Sequence, residues 1–167
     1  MKTMFFTIFI SIFYAVGLGI LGYALWSARR SSIAADWPVA PGKVETCSVE
    51  SGSDSDGGTT YEVKVQYKYS VGGNEFTGTR LAFGYAASNG QEGHQQICDK
   101  LRNAKSIDVR YDPNDPSVST LSFGIHRSIQ FMVAFAITWL AFVVGFTVIW
   151  WVASRSDDVL LRNLMVR

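Results

Sequence analysis

The sequence has few of the residues on which enzymes and metal sites most often depend. It contains only two histidines and two cysteines among 167 residues. The G-x-S-x-G, H-E-x-x-H and phosphate-loop patterns do not occur in it. Charge of one sign is not in excess either, since a net charge of +1 with acids and bases interleaved leaves no basic stripe for a phosphate backbone. We therefore expect no nucleic-acid partner, no metal, no cofactor and no enzymatic activity.

Charge is missing altogether from two long runs. The 23 residues from Met4 to Trp26 contain no acid, base, Asn, Gln or Pro, and the run from Ile129 to Val152 is equally free of charge. As helices, both exceed the roughly 30 Å of a bilayer core. No A-x-A-like cleavage site follows the first run, so it predicts an uncleaved anchor and not a signal peptide. The sequence thus predicts transmembrane helices over residues 4–26 and 129–152.

Both runs contain small residues at helical spacing. The stretch Gly17 to Gly22 reads G-x-G-x-x-G, but no strand precedes it and no acidic residue follows at the distance that dinucleotide binding requires. Small stripes at helical spacing let helix backbones approach closely in lipid. The predicted packing residues are Ser11, Ala15, Gly19, Ala134, Thr138, Ala141 and Gly145. They favour a helical hairpin within the chain, and contact between two copies, a homo-oligomer, is the alternative.

The middle of the chain alternates as a β domain does. Apolar and polar residues alternate completely from Tyr61 to Val71, and a Gly-Gly-Asn turn then predicts a hairpin into a strand over Glu75 to Phe83, with a bulge at Gly78. Shorter alternations predict strands over residues 43–50, 106–111 and 118–123, and residues 86–104 contain a helix. The predicted fold is membrane α+β: a two-helix transmembrane hairpin with an inserted small antiparallel β domain that carries one short helix.

Two aspartate-rich stretches are candidates for metal loops. In "SGSDSDGG", counting from Asp54, a calcium loop needs Gly and Glu where Thr59 and Val65 stand, so a hairpin tip is the better interpretation. In "VRYDPNDPSVSTL", Asp112 and Asp115 each precede a proline, a pattern typical of turns because proline fixes φ and removes a donor. Both stretches predict turns and not ligand sets.

The two cysteines allow four interpretations. Cys47 and Cys98 both fall in the central domain, where they form a disulfide in an oxidising compartment or are two separate buried thiols. His94 precedes Cys98 by one helical turn, so a thiolate–imidazole pair is geometrically allowed. A zinc site that adds His126 has no familiar ligand spacing. A structural role is favoured over either reactive one.

The orientation in the membrane follows from weak signals. Arg29 and Arg30 next to the first run favour a cytoplasmic centre, but the central segment is longer than the loops for which the positive-inside rule holds. The cysteines favour the opposite side. We predict a membrane protein with residues 1–3 and 153–167 in the cytoplasm and residues 27–128 outside it.

Three motifs carry a family resemblance. "WPVAPGKV" (Trp37 to Val44), "YEVKVQYKYSVGGNEFTG" (Tyr61 to Gly78) and the "VRYDPNDPSVSTL" stretch, between two spans, resemble the bacterial membrane proteins grouped as domain of unknown function 3592. The resemblance implies a two-span membrane protein with a small β domain, and it supplies no catalytic residues. Residues 90–104 depart from the shorter connector that the resemblance implies.

These features, together with the resemblance, predict a non-enzymatic protein of the bacterial inner membrane. We expect it to present its β domain at the membrane surface and to bind a protein partner, as a subunit of a membrane complex or as a toxin-neutralising protein. A thiol-dependent enzyme or redox protein that uses Cys98 and His94 is the alternative function. The lipid bilayer is the other expected partner.

Overall fold

The chain contains two long helices and, between them in sequence, a five-stranded sheet with one short helix. The computed structural model describes residues 2–53, 57–155 and 162–163, so Asp54, Asp56 and most of the predicted tail lie outside the described residues. It contains two compact units, Met1–Gly22 with Val133–Arg167, and Tyr23–Met132. The elements in chain order are α1 (Lys2–Ile33), a 3-10 turn (Ala34–Asp36), β1 (Val39–Ser53), β2 (Thr59–Val71), β3 (Asn74–Gly78), α2 (Gln91–Arg102), β4 (Ile107–Asp112), β5 (Asp115–Thr120) and α3 (Arg127–Ala153).

Helices α1 and α3 have the length and composition of membrane spans. Within the described residues they are the two helices that are long and apolar enough to cross a bilayer, and only 11% of the apolar window of each is buried. A core helix of a water-soluble domain would instead be mostly buried. Helix α1 continues to Ile33, seven residues beyond the apolar run.

The first unit is a pair of helices held by aromatic contacts. The ring of Phe6 stacks on that of Trp150 with centroids 4.2 Å apart. Trp139 donates its indole N–H to the Phe13 carbonyl at 3.0 Å. A Cβ on Gly17 would lie 2.7 Å from side-chain atoms of Trp139, so glycine permits the close approach at this level.

The contact between the helices does not use the predicted small residues. All of those residues are exposed: Ser11, Ala15, Gly19, Ala134, Thr138, Ala141 and Gly145. A Cβ on Gly19 or on Gly145 would meet nothing within 4 Å. In the first unit, the buried positions on the two helices are instead Ile10, Gly17, Ala136 and Val143. These seven residues therefore do not form the contact between α1 and α3 in the structure, and their role in helix packing stays a prediction, with contact between two copies as its alternative. Large aromatic side chains make the contact on a neighbouring face, which small-residue spacing does not reveal.

The second unit contains the antiparallel sheet, with strand order β3-β2-β1-β4-β5. Strand β1 is longer than predicted, and Pro41 lies in its first part opposite Asp108 of β4. Because β2 begins to pair with β1 only at Gly42, the missing N–H of this proline costs no ladder bond to β2. The register shift of β1 falls between Val44 and Thr46. The sequence had placed a bulge at Gly78 instead.

The sheet curls until its two edge strands, β3 and β5, approach each other. Strand β3 ends at Gly78 and not at the predicted Phe83. A Cβ on Gly78 would lie 2.6 Å from the Ser119 hydroxyl, so only glycine fits at this junction. The Tyr67 hydroxyl completes the closure, since it donates to the Arg80 carbonyl at 3.0 Å and lies 3.1 Å from the Ser119 hydroxyl.

The β4–β5 hairpin accounts for the aspartate–proline stretch. Asp112 accepts the Asn114 N–H at 3.0 Å, and Asp115 accepts the Ser117 N–H at 3.1 Å. Strand β5 begins at Asp115, earlier than the predicted residue 118. It includes Pro116, which an edge strand tolerates because one side of its backbone needs no partner. The aspartates cap turns, as the sequence predicts.

Candidate functional site

Helix α2 is fastened to the first strand of the sheet. It packs on β1 and β2, and it buries His94 and Cys98. The structure pairs the sulfur atoms of Cys47 and Cys98, whose Cα atoms are 5.8 Å apart, within the usual range of disulfides. One turn further along, the Arg102 guanidinium donates to the Cys47 carbonyl at 2.9 Å. Two residues of α2, Cys98 and Arg102, therefore both contact Cys47 of β1.

His94 is held by two hydroxyl groups. Its Nδ1 lies 2.6 Å from the Tyr85 hydroxyl, and its Nε2 lies 2.8 Å from the Ser88 hydroxyl. Both ring nitrogens are thus occupied while the sulfur of Cys98 faces Cys47. The thiolate–imidazole pair considered from the sequence is not formed. The Ser88–His94–Tyr85 arrangement has a phenol where a serine hydrolase has a carboxylate to stabilise an imidazolium.

The loop that contains Tyr85 and Ser88 also covers the outer edge of β2. We call this loop, residues 79–90 between β3 and α2, the latch loop. Ser88 and Tyr61 exchange backbone hydrogen bonds of 2.7 and 3.0 Å. The Tyr85 hydroxyl accepts the Val63 N–H at 3.0 Å, and burial raises the pKa of this tyrosine, so it stays protonated. The latch loop therefore occupies backbone groups that β2 would otherwise offer to another strand.

The corresponding edge of β1 is open. Because Arg102 reaches the Cys47 carbonyl, the backbone groups of Cys47 face away from β2. The register is unbroken from Thr46 to Ser53, so the backbone N–H and C=O groups of Val49 and Ser51 also face away from β2. The β2 residues opposite them are consistent with this orientation, because Val63 and Tyr61 direct their own N–H groups away from β1. Strand β4 pairs with β1 only from Val39 to Gly42.

No hydrogen bond reaches this edge from the rest of the described structure. Among the described residues, none donates to or accepts from the outward backbone groups of Val49 and Ser51. We call residues 48–53 the free edge. Its side chains are mostly exposed and include the charge of Glu50. An exposed edge of this kind is the part of a sheet most able to add a strand from another chain.

The other candidate ligands do not converge. Groups of three or more His, Cys, Asp or Glu residues that could hold a metal ion are absent among the described residues. The His126 Nε2 lies 2.8 Å from the Phe83 carbonyl, far along the chain from the pair of cysteines. Asp112 forms an ion pair of 3.5 Å with Arg30. The residues of the considered zinc site thus have separate partners.

Sequence reasoning missed the free edge and the latch loop. The alternation of β1 and β2 predicts the hairpin, but it does not state which outer edge stays open. That depends on Ser88 and Tyr85, which lie in a segment without periodicity. The sequence gives no signal for them, because it predicts β3 over Glu75 to Phe83, long enough to cover most of the β2 edge, whereas β3 has five residues and β2 has 13 in the structure.

Comparison with known proteins gives one family. The family model described as Domain of unknown function (DUF3592) matches residues 40–126, which include β1 to β5 and α2. No curated protein and no solved structure matches the chain significantly.

Proposed function

Because the chain belongs to the family described as Domain of unknown function (DUF3592), whose name gives no activity, we propose a function from the geometry. The protein is an integral membrane adaptor that binds a partner protein by adding a strand of that partner to the free edge. Its anchors are α1 and α3, whose apolar surfaces are exposed over most of their length. The observation that carries the proposal is the asymmetry of the β1–β2 ribbon, with one edge latched and the other open.

Three features support strand addition. The backbone groups of Val49 and Ser51 are positioned by a continuous ladder with β2, so little ordering is needed when a partner strand arrives. The exposed side chains of the free edge, those of Ser48, Glu50, Ser51 and Ser53, are polar, so the backbone, and not an apolar groove, supplies most of the recognition. The latch loop blocks the competing edge and thus defines one binding direction.

The pairing of Cys47 with Cys98 supports an extracytoplasmic β domain. A disulfide persists in an oxidising compartment and is rare in the cytoplasm. We therefore propose that residues 27–128 lie outside the cytoplasm of a bacterial cell, with both termini inside. The partner is then a protein of the same membrane or of the space outside it.

Proline at position 51 tests the proposal. In Ser51→Pro the N–H that faces outward is removed, while the ladder to β2 is kept, because Ser51 does not donate to β2. Ser51→Ala is the matched control, since it changes the side chain and keeps the N–H. A photo-crosslinking amino acid replaces Ser48 in all three versions, and crosslinked products are measured in intact membranes.

The expected result is a discrete crosslinked product in the parent and in Ser51→Ala, reduced at least about tenfold in Ser51→Pro. Protease resistance of the β domain must be equal in the two variants. An equal yield of the product from Ser51→Pro and Ser51→Ala would overturn strand addition. A crosslinked product of twice the mass of the chain would show that the added strand comes from a second copy of this chain and not from a separate partner protein.

A further inference from the structure

A layer of arginines surrounds the ends of the two long helices in the second unit. We call Arg29, Arg30, Arg80, Arg110 and Arg127 the arginine collar. Arg29 and Arg30 lie in the last turns of α1, and Arg127 is the first residue of α3. Arg29 follows the apolar run of α1 by three positions, and Arg127 precedes that of α3 by two. If the runs fill the bilayer core, these side chains are at the depth of the headgroups.

Aromatic rings hold three of these guanidinium groups in place. Arg80 lies over the Phe83 ring at 4.5 Å from its centroid, and Arg30 lies 5.7 Å from the same centroid. Arg110 lies 4.3 Å from the centroid of Phe123. Because stacking on a ring restricts the motion of a guanidinium group, these three side chains keep their positive charge at fixed positions in the collar.

The collar has more positive charge than its acidic neighbours compensate. Two aspartates lie among the five arginines, Asp36 beside Trp37 and Asp112 at 3.5 Å from Arg30. Arg80 and Arg110 donate hydrogen bonds to backbone carbonyl groups, which do not neutralise the charge of the guanidinium groups. Among the described residues, neither Arg29 nor Arg127 has an ion-pair or hydrogen-bond partner. Five arginines and these two aspartates therefore give the layer a net positive charge of three.

Exposed apolar side chains accompany these charges. Phe123 and Ile125, in the segment between β5 and α3, are 47% and 58% exposed, and Trp26 of α1 is 51% exposed. A Trp and other apolar groups next to arginines form the composition that favours the boundary between lipid tails and headgroups. In water, the same residues would form an unfavourable exposed apolar patch.

We infer that the arginine collar is a binding site for acidic phospholipid headgroups, with Arg29 and Arg127 contacting the phosphates directly. Guanidinium forks bind phosphate oxygens in pairs, and the excess positive charge selects acidic over zwitterionic headgroups. The apolar residues of the layer place the site at the depth of those headgroups. This inference rests on the proposed function, because it requires α1 and α3 to lie in a bilayer.

Two charge-matched variants of the full chain test the inference. Arg29→Gln with Arg127→Gln removes two collar charges that no described contact requires for folding. Lys43→Gln with Lys105→Gln is the control, because these exposed lysines lie in the sheet and next to β4, away from the helix ends. Each protein is inserted into mixed vesicles of phosphatidylglycerol and phosphatidylcholine. The lipids that remain bound after extraction with mild detergent are counted by mass spectrometry.

The parent and the lysine control are expected to retain phosphatidylglycerol preferentially. The arginine variant should lose that preference by about fivefold for each arginine removed. Equal preference in the two variants would overturn the inference, and so would competition by millimolar inorganic phosphate, which identifies a soluble anion site. Flotation of the vesicles separates the two proposals. Protein that does not float with the vesicles contradicts the membrane anchor itself, whereas protein that floats without lipid preference contradicts the collar alone.

Discussion

The pairing of Cys47 with Cys98 makes a quantitative prediction about the β domain. The two residues are separated by 51 positions, and the bridge would close that length of chain in the unfolded state. In the chain-entropy model, a loop of this size stabilises the folded state by about 4 kcal/mol at 25 °C. Both residues are buried, so replacement by alanine adds little exposed surface. The double variant Cys47→Ala with Cys98→Ala should therefore lose about 4 kcal/mol of unfolding free energy.

Pulse proteolysis across a urea series measures this difference on the full chain in mild detergent. The parent under a reductant should unfold at nearly the same urea concentration as the double variant, and the reductant should leave the double variant unchanged. A reductant effect below about 1 kcal/mol on the parent, together with alkylation of both cysteines before reduction, would refute the bridge. That result would also remove the main support for an extracytoplasmic β domain.

Three further changes test the packing of the chain. Gly17→Val should destabilise the helix pair by about 1–3 kcal/mol because the new side chain meets Trp139, whereas Gly19→Val should be neutral. Thermal unfolding followed by tryptophan fluorescence distinguishes the two variants. Equal effects of the two substitutions would contradict the described contact. Gly78→Ala should cost about 1–3 kcal/mol at the β3–β5 junction, whereas Gly93→Ala in α2 should be neutral or slightly stabilising by the same urea assay. Burial raises the pKa of Tyr67 to about 12, whereas an unfolded tyrosine titrates near 10. The stabilisation is complete below pH 10 and should decline by up to about 3 kcal/mol as the pH rises to 12. Tyr67→Phe should flatten this part of the pH dependence, and an unchanged pH profile in that variant would contradict the role of Tyr67.

Patterned segments of the sequence predicted the architecture, because each has a periodic signal. The uncharged runs gave both long helices, and the alternation of Tyr61 to Val71 gave β2 nearly to its ends. The turn chemistry of Asp112 and Asp115 was confirmed by their bonds to backbone N–H groups. In these cases local chemistry and tertiary packing favour the same conformation.

Features that depend on a distant partner could not be predicted. Gly78 ends β3 because Tyr67 and Ser119 occupy the space beside it, and Ser119 is 41 positions further along the chain. The helix contact at Gly17 depends on which side of α3 carries Trp139 and Leu140. The free edge exists because the latch loop covers β2 and nothing in the described structure covers β1. None of these relations has a sequence period.

The central claim is that lipid surrounds α1 and α3, and extraction of native membranes with alkaline carbonate tests it most directly. We expect the full chain to stay in the membrane pellet, because two apolar helices with exposed surfaces keep it in the bilayer without any partner. Release of the protein into the carbonate supernatant would contradict the claim, and with it the adaptor function and the lipid site.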